Sequence, residues 1–210
     1  MFALLSEGTE GKPTVRPAHA EDAGVVVPLL YASSGGMYDR YAGGAERALR
    51  LLGRAFESPG TNASADVIAV AELEGSVAAA MAAFPVDEIP TRASRFLRLT
   101  LRTVPPWRWP GAMRLYWAGM RAAPAPPRSA LYVDALATEP ELRRRGAASV
   151  LLDEAERRAR ELSLPAVALD TALDNKPARA LYLGKGYEEV AYRAPGRKLP
   201  GFVALVKPLR

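Results

Sequence analysis

The chain has 210 residues, 49% hydrophobic and 24% charged, which suits one globular domain of ordinary size with a sizeable core. It has no cysteine and a single histidine, His19, which excludes disulfides and thiolate chemistry and disfavours a histidine-built metal site or a serine–histidine triad. The net charge of +5 favours an anionic ligand, and any chemistry must use carboxylates, tyrosines, backbone amides and arginines.

The sequence shows no membrane or export signal. No apolar run approaches the roughly 20 residues that span a bilayer. The N-terminal sequence MFALLSEGTEGKPT lacks the charged and apolar regions of a signal peptide. We therefore expect a cytoplasmic protein with no membrane partner.

The first part of the chain predicts a strand, two helices and a hairpin. TVRPA at 14–18 is typical of a short strand, and AEDAGVVVPLLYAS after it of a helix. SSGGMYDRYAGG is rich in glycine and predicts a loop, and 45–58 predicts a second helix. Residues 66–86 predict two strands joined by a turn at Gly75.

Residues 87–128 differ in composition from the rest of the chain. They are rich in arginine and proline and contain all three tryptophans. Arg95, Arg98 and Arg102 fall on one face of a predicted helix, and AMRLYWAGMR predicts a second short helix after a proline-rich break. We interpret 87–128 as a helical insertion within a single domain that spans 1–210, with a lid over the acceptor side as the expected role and an interface as the alternative.

The last third has the most regular pattern. Residues 130–137 predict a strand and 146–162 a helix with an apolar stripe. Pro165 begins another strand, and a short helix follows with Asp174 or Asn175 as its cap. EEVAYR and FVALVKPL predict two closing strands.

Three consecutive arginines, 143–145, and Gly146 directly precede the longer of these helices. A helix N-terminus carries unsatisfied N–H donors and a partial positive charge, so added cations there make sense if an anion binds. Gly146 and the small Ala147 and Ala148 let a ligand approach the backbone closely. The pattern predicts a phosphate site, in particular for a pyrophosphate, and the alternative is a solvated turn.

Two motifs resemble those of the GNAT superfamily of N-acetyltransferases. LATEPELRRRGAASVLL resembles its acetyl-CoA signature, [RQ]-x-x-G-x-[GA]. The matching residues are Arg143, Gly146 and Ala148, the last in place of the more usual glycine. DNKPARALYLGKGYEEV resembles the motif N-x-x-A-x-x-x-Y-x-x-x-G-[FY]. Its matching residues are Asn175, Ala178, Tyr182, Gly186 and Tyr187. The resemblance is close over about 130–190 and loose over 14–34, and two motifs in this order are specific.

The resemblance implies a mixed α/β (α+β) GNAT fold: a central, mostly antiparallel sheet with two splayed parallel strands, flanked by helices. It also implies acetyl-CoA as cofactor, coenzyme A as product, and no metal. Backbone groups of 134–138 would pair with the pantetheine arm, and 143–148 would hold the pyrophosphate. The implied cofactor-binding residues are Leu136, Ala137, Thr138, Arg143, Arg144, Arg145, Gly146, Ala147, Ala148, Asn175 and Tyr182.

Two carboxylates on predicted strands are candidates for a general base. A carboxylate inside an apolar strand is costly unless it is paired, so such positions are functional candidates. Strand alternation places Asp134 on one face with Tyr132 and Leu136, and Asp170 lies in AVALDTA. The resemblance implies that an acid on either strand can be the base, often through a water. The alternatives are that Asp134 pairs with an arginine and that Asp170 caps a turn.

Tyr182 matches the tyrosine that, in many members of this family, protonates the leaving thiolate. Its alternative role is as a packing aromatic. Asn175 matches a cofactor-side asparagine, and helix capping explains it equally well.

The resemblance thus implies an enzyme, an acyltransferase that moves an acetyl group from acetyl-CoA to an amine of a small molecule or peptide by direct attack in a ternary complex. One alternative is a nucleic-acid-binding module built on the basic, aromatic insertion, which would leave the two motifs unexplained. Another is a non-catalytic acyl-CoA sensor. The arginine-rich insertion hints at an acceptor that carries a carboxylate or phosphate, and the alternative is that these arginines face water. Dimers are common in the family, and a homodimer stays open.

Overall fold

A computed structural model describes residues 11–119, 121, 123–195 and 201–209. The strands are β1 (Thr14–Pro17), β2 (Ile68–Leu73), β3 (Ser76–Pro85), β4 (Leu131–Thr138), β5 (Ala166–Ala172), β6 (Glu188–Arg193) and β7 (Phe202–Pro208). The helices are α1 (Ala23–Ser33), α2 (Met37–Ala42), α3 (Ala45–Glu57), α4 (Ile89–Thr103), α5 (Trp109–Gly119), α6 (Ala147–Glu161) and α7 (Lys176–Gly184). Over these ranges, no helix is both long and apolar enough to cross a bilayer.

The strands form one sheet in the order β1-β2-β3-β4-β5-β7-β6. All neighbours are antiparallel except β4 and β5, which are parallel. The parallel ladder runs from Leu131–Val167 to Val133–Leu169 and then stops, although β4 continues to Thr138 and β5 to Ala172. The mixed sheet with two splayed parallel strands is therefore confirmed.

Helices cover both faces of the sheet. The alternation of side chains along β3 sends Ala82 and Phe84 to the face covered by α1 and α3, and Met81 and Ala83 to the face covered by α6. Five of the residues in β3 are alanine, so the helices approach the sheet closely on both sides. This packing fixes α6 beside β4, and Arg143, shortly before the helix, donates to the Thr138 carbonyl at the end of β4.

The glycine-rich segment after α1 contains a helix, so the loop predicted there is wrong. Its glycines lie at the ends of α2 and not inside it. Gly36 (φ 82) precedes the helix and Gly43 (φ 87) ends it, both in the left-handed conformation that favours glycine. The spacing of these glycines marks helix caps, and α2 brings Tyr38 and Tyr41 toward the insertion.

The two predicted helices of the insertion are present as α4 and α5, which pack against each other. Residue 120, within the second predicted helix, lies outside the described residues. Arg95, Arg98 and Arg102 are exposed. The apolar surface that α4 buries centres on Phe96, which packs with the α1 and α3 cluster.

Candidate active site

A β-bulge lies at Asp134. Ala82 pairs with Ala135 and Ala83 with Val133, so Asp134 is the extra residue on β4. It is also the first residue after the end of the parallel ladder with β5. Because a bulge bends its strand, this residue marks the point where β4 diverges from β5.

The bulge overturns one expectation about β4. Leu136 does not share a face with Tyr132, because Tyr132 packs with the α1 and α3 cluster and Leu136 with the α6 cluster. An extra residue shifts the alternation of side chains by one position beyond the bulge. Nothing in LYVDALA distinguishes a bulged strand from a regular one.

A cavity of about 390 Å³ lies beside the bulge, on the α1 and α3 side of the sheet. Strands β3, β4 and β5 contribute its floor, and α2, α4, α5 and the segment 123–126 contribute its walls. The two candidate carboxylates, Asp134 and Asp170, both line it. The structure thus brings together the two acids that the sequence singled out.

Asp134 is open to this cavity and has one partner on a distant loop. Asn62 Nδ2 donates a hydrogen bond to Asp134 Oδ2 at 3.0 Å. The side chain is exposed at the cavity, and desolvation by the surrounding protein raises the pKa of Asp134 to about 6, an increase to which the charge of Asp170 adds. The bond from Asn62 acts in the opposite direction. A carboxylate with a pKa near neutrality suits general base catalysis.

Asn62 is a functional candidate that the sequence did not reveal. It lies in SPGTNAS, a run of turn-forming residues that explains an asparagine without any further role. Its partner Asp134 lies 72 residues further along the chain. Only the fold brings the two together.

Asp170 has a different environment. The Tyr132 hydroxyl donates a hydrogen bond to Asp170 Oδ2. Burial raises the pKa of Asp170, and the bond from Tyr132 lowers it. Asp134 is therefore bonded to an amide and not to the arginine of the alternative interpretation. Asp170 is bonded to a phenol and not to the N–H of a turn.

Tyr182 lies on α7, on the α6 side of the sheet, and is buried. Its ring packs against Tyr187 with 6.1 Å between centroids. Burial raises the pKa of Tyr182 to about 12, and the charge of Asp170 adds to the increase. The phenol is therefore protonated at neutral pH, as a general acid must be.

The turn before α6 presents backbone amides. Gly146 has φ 87, and the first bond of the helix runs from the Val150 N–H to the Gly146 carbonyl at 3.1 Å. The N–H groups of Ala147, Ala148 and Ser149 precede this bond, so the helix does not use them. Such a group of amides at a helix N-terminus is suited to an anion.

The three arginines of this turn have different surroundings. Arg143 and Arg144 are exposed, and Arg143 Nε donates to the Thr138 carbonyl at 3.4 Å. Arg145 pairs with Glu74 in the β2–β3 turn. Arg144 has φ 62, unusual for a residue other than glycine, which tightens the turn. Arg143 and Arg144 are thus the cations placed nearest to solvent at the helix end.

Asn175 caps α7. Its Oδ1 accepts a hydrogen bond from the Ala178 N–H at 3.4 Å, and its Nδ2 donates to Thr171 Oγ1 at 3.1 Å. Both polar ends of this side chain therefore contact α7 and β5, which agrees with the capping interpretation.

The gap between the splayed strands fits an elongated ligand with amide groups. Beyond Val133, no strand of the described residues pairs with the edge of β4 that faces β5, so peptide groups of 134–138 can pair with a ligand. The α6 amides lie where the chain returns from β4. In the described part of the chain, no group of three or more His, Cys, Asp or Glu residues could hold a metal ion.

In the described residues, the sheet opens at its β4–β5 pair, with helix amides after β4 and a carboxylate cavity beside the gap, an arrangement that suits an acyltransferase. The family model described as "Acetyltransferase (GNAT) family" matches residues 44–187. The chain therefore belongs to the GNAT acetyltransferase family and is an acyltransferase. Members of this family generally use acetyl-CoA.

Solved structures of N-acetyltransferases share the fold. An N-acetyltransferase from Staphylococcus aureus has a TM-score of 0.72 at 18% identity, over 92% of this chain and 100% of that one. A polyamine N-acetyltransferase from Drosophila melanogaster, which forms N-acetylagmatine, has a TM-score of 0.54 at 17% identity, over 94% and 100%. The ribosomal-protein-S18-alanine N-acetyltransferase of Escherichia coli has a TM-score of 0.51 at 12% identity, over 93% of each chain. No curated protein sequence matches this chain.

Proposed function

We propose that this protein is an N-acetyltransferase that acetylates an amine of a small molecule or peptide by direct attack in a ternary complex with acetyl-CoA. The observation that carries the proposal is the bulge at Asp134, which places a carboxylate with a raised pKa between the cavity and the gap in the sheet. When bound, acetyl-CoA supplies the thioester whose acetyl group is transferred, and coenzyme A leaves as product.

The cofactor-binding residues form two groups in this proposal. Peptide groups of 134–138, which include Leu136, Ala137 and Thr138, pair with the amides of the pantetheine arm. The N–H groups of 146–148 and the side chains of Arg143 and Arg144 bind the pyrophosphate. Arg145 positions the turn through Glu74, and Asn175 holds the start of α7.

The chemistry divides between the two faces of the sheet. Asp134 accepts a proton from the acceptor nitrogen, directly or through a water, and Asn62 holds the carboxylate in place. The nitrogen lone pair attacks the acetyl carbonyl carbon, a C–N bond forms, and the C–S bond breaks. Tyr182 donates its hydroxyl proton to the departing sulfur. Asp170 stays hydrogen-bonded to Tyr132 and adds to the negative potential of the cavity.

The insertion 87–128 supplies one wall of the acceptor cavity and is a lid within a single domain. Phe96 from α4, Tyr116 from α5 and Pro124 from the following segment line the cavity opposite the sheet. A long connection between core elements that covers a site is commonly a lid or binding loop.

The test is thiol release from acetyl-CoA across a panel of amines. Because the chain has no cysteine, the protein itself adds no thiol to the assay. We expect release that depends on both acetyl-CoA and a primary amine, with the acetylated amine detected by mass spectrometry. If acetyl-CoA raises the melting temperature but no amine gives thiol release, the acyl-CoA sensor becomes the better assignment.

A further inference from the structure

We propose that the acceptor is a small primary amine with one cationic group and a flat apolar body, and that its nitrogen binds between Asp134 and Asn62. This inference rests on the proposed function and specifies its substrate class. It comes from the composition of the cavity walls, the sign of their charge and the unpaired amide oxygen of Asn62.

Aromatic rings dominate the part of the cavity remote from the sheet. Tyr38 and Tyr41 come from α2, Phe96 from α4 and Tyr116 from α5. The ring centroids of Tyr38 and Phe96 are 5.8 Å apart, and those of Tyr41 and Phe96 are 5.9 Å apart. These rings form one continuous apolar surface, which binds a flat hydrocarbon body by burial and by ring contacts.

The charged groups that the described residues bring to the cavity surface are acids. Among the described residues, Asp134 and Asp170 are the charged side chains in the lining. Arg92 on α4 lies outside the lining and is paired with Glu88 at 2.7 Å and with Asp66 at 3.2 Å. An acceptor carboxylate or phosphate would therefore be desolvated beside two carboxylates, with no Lys or Arg among the described lining residues to compensate.

The arginines of the insertion do not alter this result. Arg95, Arg98 and Arg102 lie on the exposed face of α4, and none of them lines the cavity. The hint that an arginine-rich insertion selects an anionic acceptor is therefore not supported by their positions.

Asn62 provides the binding position for the nitrogen. Its Nδ2 donates to Asp134 Oδ2, which leaves Oδ1 as the other end of the amide. That Oδ1 has no hydrogen-bond partner within the described ranges and almost no accessible surface, so an amine reaches it when the Asn62 side chain turns toward the cavity that it lines. A buried acceptor without a donor is unfavourable. A primary amine supplies two or more N–H donors, enough for Oδ1 and the Asp134 carboxylate together.

The size of the cavity and the apolar wall opposite the sheet argue against two further classes of acceptor, a folded protein segment and a diamine. A volume of about 390 Å³ is near the lower end of the roughly 300–1,000 Å³ range of small-molecule sites, so a small ligand fits better than a folded segment. A second ammonium, as in a diamine, would compete with Tyr132 for Asp170, the other acid among the described lining residues, or lie among apolar side chains such as Phe96 and Leu115. An unpaired cation there would be costly.

Three acceptors test the proposal with the full chain and saturating acetyl-CoA. 2-Phenylethylamine has the proposed features, L-phenylalanine adds a carboxylate to the same body, and 1,4-diaminobutane replaces the ring with a second ammonium. We expect kcat/KM for 2-phenylethylamine to exceed each of the others by about 100-fold or more, since each of them buries an unpaired charge. Calorimetry should show the same order of affinity for the three amines.

Two substitutions probe the walls. Asn62→Leu removes Oδ1 at similar volume, and we expect about a 10-fold loss of affinity for 2-phenylethylamine, in line with one buried hydrogen bond to a charged group. Leu115→Glu places an anion on the far wall and should raise kcat/KM for 1,4-diaminobutane relative to 2-phenylethylamine. Val25→Glu, a similar change at an exposed position of α1, is the matched control and should not alter the preference. Melting temperatures show whether each variant is folded. If a variant is not, the comparison of the three acceptors on the wild-type protein still tests the proposal.

The outcomes separate this proposal from the proposed function. Thiol release that is fastest with L-phenylalanine or the diamine overturns the acceptor class and leaves the acetyltransferase in place. Tight binding of 2-phenylethylamine without thiol release supports the cavity assignment and overturns the catalytic function. If 2-phenylethylamine neither binds nor reacts, the acceptor class is wrong.

Discussion

The gap between β4 and β5 has two sides that are built in different ways. The proposed cofactor side uses main-chain groups from one contiguous stretch, the end of β4 and the turn into α6. The acceptor side uses side chains from α2, the Asn62 loop, α4 and α5, which are far apart in the sequence. Main-chain geometry follows from short local motifs, whereas a cavity wall depends on how distant helices pack. The class of reaction is therefore readable from a few residues, and the acceptor is not.

The largest effect should come from the cofactor side. Gly146→Asp places a side chain and a negative charge at a position with φ 87 beside the helix amides, so we expect acetyl-CoA affinity to fall by about 1,000-fold or more. Isothermal titration calorimetry measures this. Gly146→Ala separates backbone strain from charge, and Gly53→Asp on α3, where a Cβ meets nothing within 4 Å, is the distant control. Wild-type affinity in Gly146→Asp would remove the pyrophosphate site from this turn.

The next effect concerns the base. Asp134→Asn should lower kcat/KM by about 10²–10⁴-fold, the usual contribution of a positioned base. Wild-type activity should fall below a pH of about 6, because the base must be deprotonated and the pKa of Asp134 is raised to about 6. The pH–rate profile of Asp134→Asn should lack this acidic limb, and that of Asp170→Asn should keep it. The reverse pattern would move the role to Asp170.

Asp134→Asn should lower activity but raise the stability of the folded protein at neutral and higher pH. The pKa of Asp134 is higher in the folded protein than its ordinary value of 3.8, so the native state binds the proton more tightly than the unfolded chain. This contribution to stability is present at low pH and is lost as the pH rises through about 6. Asp134→Asn should therefore melt at a higher temperature than the wild type at pH 8, with a smaller difference at pH 4.

A smaller effect is expected for the acid. Tyr182→Phe should lower kcat by about 10-fold or more with little change in KM for acetyl-CoA, since the proton is needed only in the transition state. Steady-state kinetics with both substrates varied measures this. Tyr187→Phe, in the ring that packs against Tyr182, is the matched control. Wild-type turnover in Tyr182→Phe would assign this ring to packing alone.

The smallest effect should appear where the insertion contacts the core. A Cβ on Gly43 would clash with the guanidinium carbon of Arg108, so the glycine lets this arginine of the insertion lie against the end of α2. Gly43→Ala should raise KM for the acceptor a few-fold and leave acetyl-CoA affinity unchanged. Gly35→Ala, at φ 56 with nothing within 4 Å, carries a similar backbone strain without this contact.

A double-mutant cycle then isolates the contact between Gly43 and Arg108. In the Arg108→Ala background, Gly43→Ala should cost less stability than in the wild type, because the clash is gone and only the strain at φ 87 remains. Equal costs in both backgrounds would contradict a role for this contact in holding the insertion.

What could be predicted from the sequence follows the division between local main-chain motifs and the packing of distant elements. The helix caps, the arginine–glycine turn and the motif residues are local, and the structure places them in the sheet and helices expected. The bulge at Asp134 arises from pairing with β3, and the bond from Asn62 joins residues 72 positions apart, so neither has a local pattern. The loop predicted around α2 is wrong because a glycine-rich run usually predicts a loop, whereas two of these glycines cap a helix.

The parallel ladder between β4 and β5 is short, so the two halves of the sheet are weakly joined there. Three residue pairs join β1–β4 to β5–β7, and α6 bridges the two halves on one face. The amides of 134–138 that point away from β3 should exchange with deuterium rapidly in the ligand-free protein. A pantetheine arm bound along that edge would take the place of a missing strand and slow their exchange. Acetyl-CoA would then be a structural part of the sheet as well as a reactant, and the two halves would unfold more cooperatively in its presence.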